Sequence, residues 1–310
     1  MKKLLLLLFM SVSLAVSAQS QPEVKELTIQ GSRPIYGMLA SPHVEKPAGI
    51  VIVSHGFNGT HHYEMDFFEP LAALGYYVYA FDFPCGSVYS RSDNNTMNMS
   101  VLDEVNDLKS IIKYFKAQPY IDSSRIMLIG ESQGGLVSAL AAAQMKKDIQ
   151  KLVLVYPAFC IPDNWRTLYP RVEDIREVTE IWGVKLGRRY FAEVRDMYPL
   201  KLVKKYRGPV LIVQGDNDAI VSMEDSKQAV KLYKQARLHV IPGAGHGFNP
   251  VERAEAIHEI ETFLKIRRKL QPTRHESLKT NNSYNRSNYS YNFIDYSYNF
   301  FQPQINNGQN

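Results

Sequence analysis

The sequence predicts an α/β protein with a mostly parallel sheet, and three observations predict it. Strand-like apolar runs alternate with helix-like segments from residue 23 to about residue 270. Several runs, such as Gly49-Ile-Val-Ile-Val-Ser54, are apolar without interruption, which suits strands buried on both faces of a parallel sheet. Between one such run and a helix-like segment stands Gly130-Glu-Ser-Gln-Gly134, the G-x-S-x-G pattern that puts a serine on a strained turn between strand and helix.

The first eighteen residues lie outside this alternation. Lys2 and Lys3 precede an apolar stretch from Leu4 to Val16, and Val16-Ser-Ala18 offers small residues at a cleavage point. This is the layout of a secretory signal peptide cut between Ala18 and Gln19, so the protein is expected to be periplasmic or extracellular. The stretch is short for a bilayer span, so no stable membrane anchor is expected. No cysteine near the cut points to a lipid anchor.

Val24–Gln30 and Ile35–Ala40 read as an opening antiparallel hairpin across Gly31-Ser32. Further strands are expected at Gly49–Ser54, Tyr76–Phe83, Arg125–Gly130, Leu152–Tyr156, Val210–Gln214 and Leu238–Ile241. Helical patterns fall at Glu64–Leu74, Val101–Gln118, Gln133–Lys146, Met223–Gln235 and Val251–Leu270. A simple crossover needs far fewer residues than the stretch from Tyr156 to Val210 provides. Residues 158–206, which hold both tryptophans, are therefore read as an inserted helical cap over the carboxyl edge of the sheet. Residues 19–270 make one domain. Residues 271–310 are dominated by Asn, Ser and Tyr and read as a disordered extension without a catalytic part.

Composition excludes more than it selects. A chain of 310 residues that is 45% hydrophobic and 22% charged is ordinary for a globular protein, and a net charge of +5 spread along it gives no reason to expect a nucleic-acid partner. No cluster of Cys, His and carboxylates has metal-ligand spacing, and no metal or cofactor is expected. Cys85 and Cys160 are read as unpaired, because the expected strand order separates them by several strands.

A serine hydroxyl needs a base, and the base needs an orienting acid. Ser132 is the candidate nucleophile. His246, in Gly243-Ala-Gly-His246 after the last strand, is the candidate base. The acid lies in Gly215-Asp-Asn-Asp218. Asp216, first after the strand, suits closing the turn onto the backbone, and Asp218 lies far enough along to face the histidine. Asp218 is therefore chosen. Oxyanion donors are expected from the backbone N–H groups of Gln133 and of Phe57, in the loop after Gly49–Ser54. His55 reads as structural, while His61 and His62 either line the mouth or are solvated.

The segments Ser54-His-Gly-Phe-Asn-Gly59, Phe81-Asp-Phe83, Gly130-Glu-Ser-Gln-Gly-Gly135, Gly215-Asp-Asn-Asp218 and Gly243-Ala-Gly-His246 resemble the α/β-hydrolase superfamily, and within it bacterial cinnamoyl (feruloyl) esterases. Family members often carry histidine where this chain has Glu131. The resemblance spans residues 24 to 266. It implies a serine carboxylesterase that works through an acyl-enzyme on small esters or acylated plant polysaccharide, with the insert forming a lid. Tyr169, Trp182 and Tyr190 are candidate aromatic contacts for the substrate. Two alternatives use the same fold: a serine peptidase or acyl-aminopeptidase, and a catalytically silent surface-binding protein. The chain lacks room for the propeller domain of large peptidases, which weighs against the first.

Overall fold

A computed structural model describes residues 21–265. The expected signal peptide and the Asn/Tyr/Ser-rich tail lie outside the described residues. Eight strands form one sheet: β1 (Glu23–Gln30), β2 (Pro34–Ser41), β3 (Ala48–Ser54), β4 (Tyr76–Phe81), β5 (Ile121–Glu131), β6 (Lys151–Val155), β9 (Pro209–Gly215) and β10 (Gln235–Ile241). Their spatial order is β1-β2-β4-β3-β5-β6-β9-β10. The β1–β2 and β2–β4 pairings are antiparallel, and every other pairing in this sheet is parallel. The opening hairpin and the parallel sheet are thus as expected from the sequence.

The uninterrupted apolar runs have a direct physical cause, since successive residues of a strand point to opposite faces. In β3, Ile50 and Ile52 enter one core while Val51 and Val53 enter a second. Helices α2 (Val101–Lys116) and α3 (Gln133–Gln144) cover the first core. Helices α1 (Phe68–Ala73) and α8 (Pro250–Lys265) cover the other. Helix α7 (Met223–Leu232) links β9 to β10 and contributes Ala229 to the first core. The predicted helix at Glu64–Leu74 is a 3-10 turn over His61–Phe67 that passes into α1.

The insert between β6 and β9 packs onto the first core through Tyr169, Ile175, Val184, Leu186, Tyr190, Phe191 and Val203. It is not purely helical. Helices α4 (Ile161–Leu168), α5 (Arg188–Ala192) and α6 (Pro199–Val203) are joined by a small antiparallel hairpin, β7 (Val178–Ile181) with β8 (Val184–Gly187). Its two-residue turn, Trp182-Gly183, has positive φ at both positions (49° and 79°), the condition for the tight turn whose twist matches a hairpin. A tryptophan at such a position carries no turn signal, so sequence reading found only mixed polarity there.

Chain order reverses at β3, whose neighbours β4 and β5 run on to opposite sides of it. Loops at the carboxyl ends of strands beside such a point open a crevice, and the candidate residues follow β3, β5, β9 and β10. Cys85 and Cys160 are both free, as expected. Among the described residues, no helix is long and apolar enough to cross a membrane and no group of side chains could hold a metal ion.

Candidate active site

Ser132 sits between the end of β5 and the first residue of α3 with φ 51° and ψ −117°. That left-handed region is costly for a side-chain-bearing residue. The surrounding backbone holds it there. Ser132 N–H donates to Val155 O at 3.0 Å, and Ser132 O accepts from Gly135 N–H at 3.0 Å and Ala158 N–H at 2.9 Å. The flanking glycines are required by close approach. A Cβ at Gly134 would enter the backbone of Ser54 and His55, and one at Gly130 would enter Gly134 O.

Loops from the sheet's far side bring the partners. His246 Nε2 lies 3.0 Å from Ser132 Oγ, and His246 Nδ1 lies 2.9 Å from Asp218 Oδ2. The Asp218 side chain is 1% exposed. Its other oxygen accepts the N–H groups of Ile220 and Val221, each at 2.9 Å, which orients the carboxylate. Asp216 instead accepts Gly243 N–H at 2.6 Å and so ties the β9 loop to the β10 loop. The structure therefore brings Ser132, His246 and Asp218 into one hydrogen-bonded chain and gives Asp216 the turn.

Phe57 follows Gly56, where a Cβ would stand 3.1 Å from Ser132 Cβ, so the loop passes directly over the elbow. Gln133 N–H opens α3 beside Ser132. His55 is buried. Phe83 N–H donates to its Nε2 at 3.0 Å, which leaves Nδ1 to donate to Gly56 O at 2.7 Å. Burial lowers its pKa, in keeping with a neutral ring that braces the loop. His61 neither lines the mouth nor is solvated. It is 2% exposed and its Nδ1 lies 2.7 Å from Asp82.

The three aromatic candidates separate. Trp182 is exposed and meets the Phe57 ring edge-on, with centroids 5.7 Å apart. Tyr190 is buried against both Phe57 and Trp165. Tyr169 lies inside the insert, with its hydroxyl 2.5 Å from Thr179 Oγ1 and its ring against Phe191.

Sequence reasoning missed two buried polar assemblies beside the serine. In the first, Gln133 Nε2 donates to both oxygens of Glu104 at 2.9 Å, while Tyr190 O–H donates to Gln133 Oε1 at 2.6 Å. Burial pushes the Glu104 carboxyl up to about 8 against the opposing pull of the Gln133 bond. In the second, Arg253 of α8 reaches Glu131, Glu64 and Asp66, and Tyr156 O–H donates to Glu131 at 2.8 Å. Burial and the neighbouring Glu131 raise Glu64 well above the usual carboxylate range, with Arg253 opposing. Tyr156 has φ 36°, and its ring lies 4.7 Å from that of His246, forming a wall behind the imidazole. The one sequence signal here was Glu131, which departs from the histidine that the resemblance to cinnamoyl esterases leads one to expect there.

The sequence profile of the prolyl oligopeptidase family (Peptidase_S9) matches residues 61–270. The chain is similar to the serine hydrolase BPHL of Homo sapiens, with 26% identity over 208 residues covering 60% of this chain and 69% of that protein. It is also similar to the uncharacterized peptidase YtmA of Bacillus subtilis (strain 168), at 22% identity over 52% of this chain and 63% of that protein. Among solved structures, Est1E from Butyrivibrio proteoclasticus with ferulic acid bound superposes with TM-score 0.70 at 28% identity, covering 77% of this chain and 98% of that one. Dipeptidyl peptidase 4 of Porphyromonas gingivalis superposes with TM-score 0.60 at 17% identity, and the shared fold spans 35% of that longer protein.

Proposed function

The chain belongs to the prolyl oligopeptidase family of α/β-hydrolases, and on that premise we propose that it is an exported serine carboxylesterase that cleaves feruloyl or acetyl esters of plant polysaccharide. The observation that carries the reading is the hydrogen-bonded chain from Ser132 through His246 to the buried Asp218, on an elbow strained at the serine itself.

In this reading Ser132 Oγ attacks the ester carbonyl carbon as His246 Nε2 takes its proton. Asp218 holds the imidazole with Nδ1 protonated and stabilises the imidazolium that forms. The carbonyl oxygen becomes an oxyanion received by the N–H groups of Phe57 and Gln133; losing one such donor costs about a hundredfold to a thousandfold in turnover. Collapse of the intermediate breaks the bond to the alcohol oxygen, which leaves with the proton from His246. Water, deprotonated by His246, then attacks the acyl-enzyme, and release of the acid restores Ser132.

The likeness to Est1E, solved with ferulic acid bound, supports an aromatic acyl group, and the lysine-led apolar segment at the N-terminus supports export toward a polymer that cannot enter a cell. The family match and the resemblance to a B. subtilis peptidase favour one second reading, hydrolysis of peptide bonds by the same three side chains. The test compares p-nitrophenyl acetate, methyl ferulate and an aminoacyl p-nitroanilide, with Ser132→Ala as control. Turnover of ferulate within about tenfold of acetate, with no anilide cleavage, is expected. Preferential anilide cleavage would move the protein to the peptidases, and activity surviving Ser132→Ala would overturn both readings.

A further inference from the structure

One residue of the insert touches both residues whose N–H groups would receive the oxyanion. The Tyr190 hydroxyl donates to Gln133 Oε1 at 2.6 Å, and the Tyr190 ring lies 6.2 Å from that of Phe57. The far end of the Gln133 side chain is held as well, by the Glu104 carboxyl of α2 at 2.9 Å. Tyr190 and Gln133 are each 2% exposed and Glu104 is 1% exposed. In so dry a setting, each lost hydrogen bond would leave a buried polar atom without water to replace it.

Helix α5, which carries Tyr190, is fastened from the other side too. Arg189 forks onto Asp103 at 2.7 and 3.0 Å. Ser100 O–H donates to Glu193 at 2.5 Å, and Thr96 O–H donates to Lys185 O at 2.8 Å. The segment from Thr96 to Glu104 therefore grips the insert at its surface and Gln133 within the core.

We propose that Tyr190 is a positioning residue that couples the insert to the oxyanion hole through the Gln133 side chain, not a stacking partner for the acyl group. The proposal rests on the reading of Ser132 as nucleophile with Phe57 and Gln133 as donors. Gln133 is the first residue of α3, where the backbone has few helical bonds of its own to aim it. Clamping its side chain between α2 and α5 restrains the N–H, and oxyanion donors tolerate only about half an ångström of misplacement. The oxyanion forms in the same place whatever the acyl group. Losing the tie should therefore lower kcat alike for all esters and leave KM alone, whereas losing an acyl contact would raise KM for the matching ester only.

The test is Tyr190→Phe, which keeps the ring and removes the hydroxyl, assayed with p-nitrophenyl acetate and p-nitrophenyl ferulate. A kcat loss of about tenfold on both, with KM within about twofold, is expected. Arg189→Met loosens α5 at an exposed position. It should lower kcat by a smaller factor that is again the same for both esters. Combined with Tyr190→Phe it should cost less than the product of the two, because both act through one tie. Thermal melts of each variant establish that it is folded. An unchanged kcat in Tyr190→Phe, or a KM rise confined to the ferulate ester, would overturn the proposal while Ser132-dependent turnover by the wild type left the hydrolase reading standing. No Ser132-dependent turnover in the wild type would overturn both.

Discussion

Glu104 makes the sharpest physical prediction outside catalysis. Its carboxyl is buried and faces the Gln133 amide, and burial raises it from the ordinary 4.5 to about 8. The unfolded chain sheds this proton near 4.5, whereas the folded chain holds it to about 8. Between those values the folded state binds more protons than the unfolded one, so stability falls as pH rises. The contribution is fully present below about 4.5, declines through the interval, and is lost above about 8. At about 1.4 kcal/mol per pKa unit, the ionised carboxyl costs roughly 3–5 kcal/mol at pH 9 relative to pH 4.5. Glu104→Gln keeps the shape, leaves Gln133 a hydrogen-bond partner and removes the proton. Urea unfolding of wild type and variant from pH 5 to pH 9 isolates this residue, because other titrating groups cancel in the difference. The variant should gain on the wild type as pH rises to about 8 and level off above it, by roughly 3–5 kcal/mol in all, with equal m values. Parallel stability curves would refute the reasoning and mean that water or an unseen rearrangement solvates the carboxylate.

Three further outcomes follow from the site. Asp218→Asn should lower kcat by about ten-thousandfold with the fold intact, because His246 loses the partner that selects its tautomer, while Asp216→Asn should stay within about tenfold; a steady-state comparison decides, and the reverse ranking would reassign the acid. Gly134→Ala should cost more than about 4 kcal/mol or abolish soluble expression, since the new methyl would meet the backbone oxygens of Ser54 and His55, which cannot move independently of β3; a melt within a few degrees of wild type would show that the elbow is looser than its geometry. Arg253→Met should destabilise by about 3–5 kcal/mol at pH 7, because Glu131 is left buried without its cation; a neutral result in urea unfolding would refute the need for that pairing.

Much of the site was legible before any tertiary contact was known, because its signals are local. The elbow announces itself by glycines two positions either side of Ser132, a spacing that the strained turn itself demands. The choice between Asp216 and Asp218 also followed from distance along the loop, and the hydrogen bonds to Gly243 and His246 fall accordingly. Strand identity was legible for the same reason: Ile50, Val51, Ile52 and Val53 feed two cores in alternation, as a β-branched run apolar on both faces suggests.

What the tertiary structure alone decided are pairings between residues distant in sequence. Tyr190 and Gln133 are 57 positions apart, Gln133 and Glu104 are 29 apart, and Arg253 and Glu131 are 122 apart. Glu104 looks from the sequence like any polar residue on an amphipathic helix, and Tyr190 like one more aromatic in a mixed segment. Hydrophobic periodicity says which face of an element is buried but not which polar atom will meet it there. That choice is made when the insert folds back onto α2 and α3 and water leaves, since only then does each buried donor have to find its acceptor.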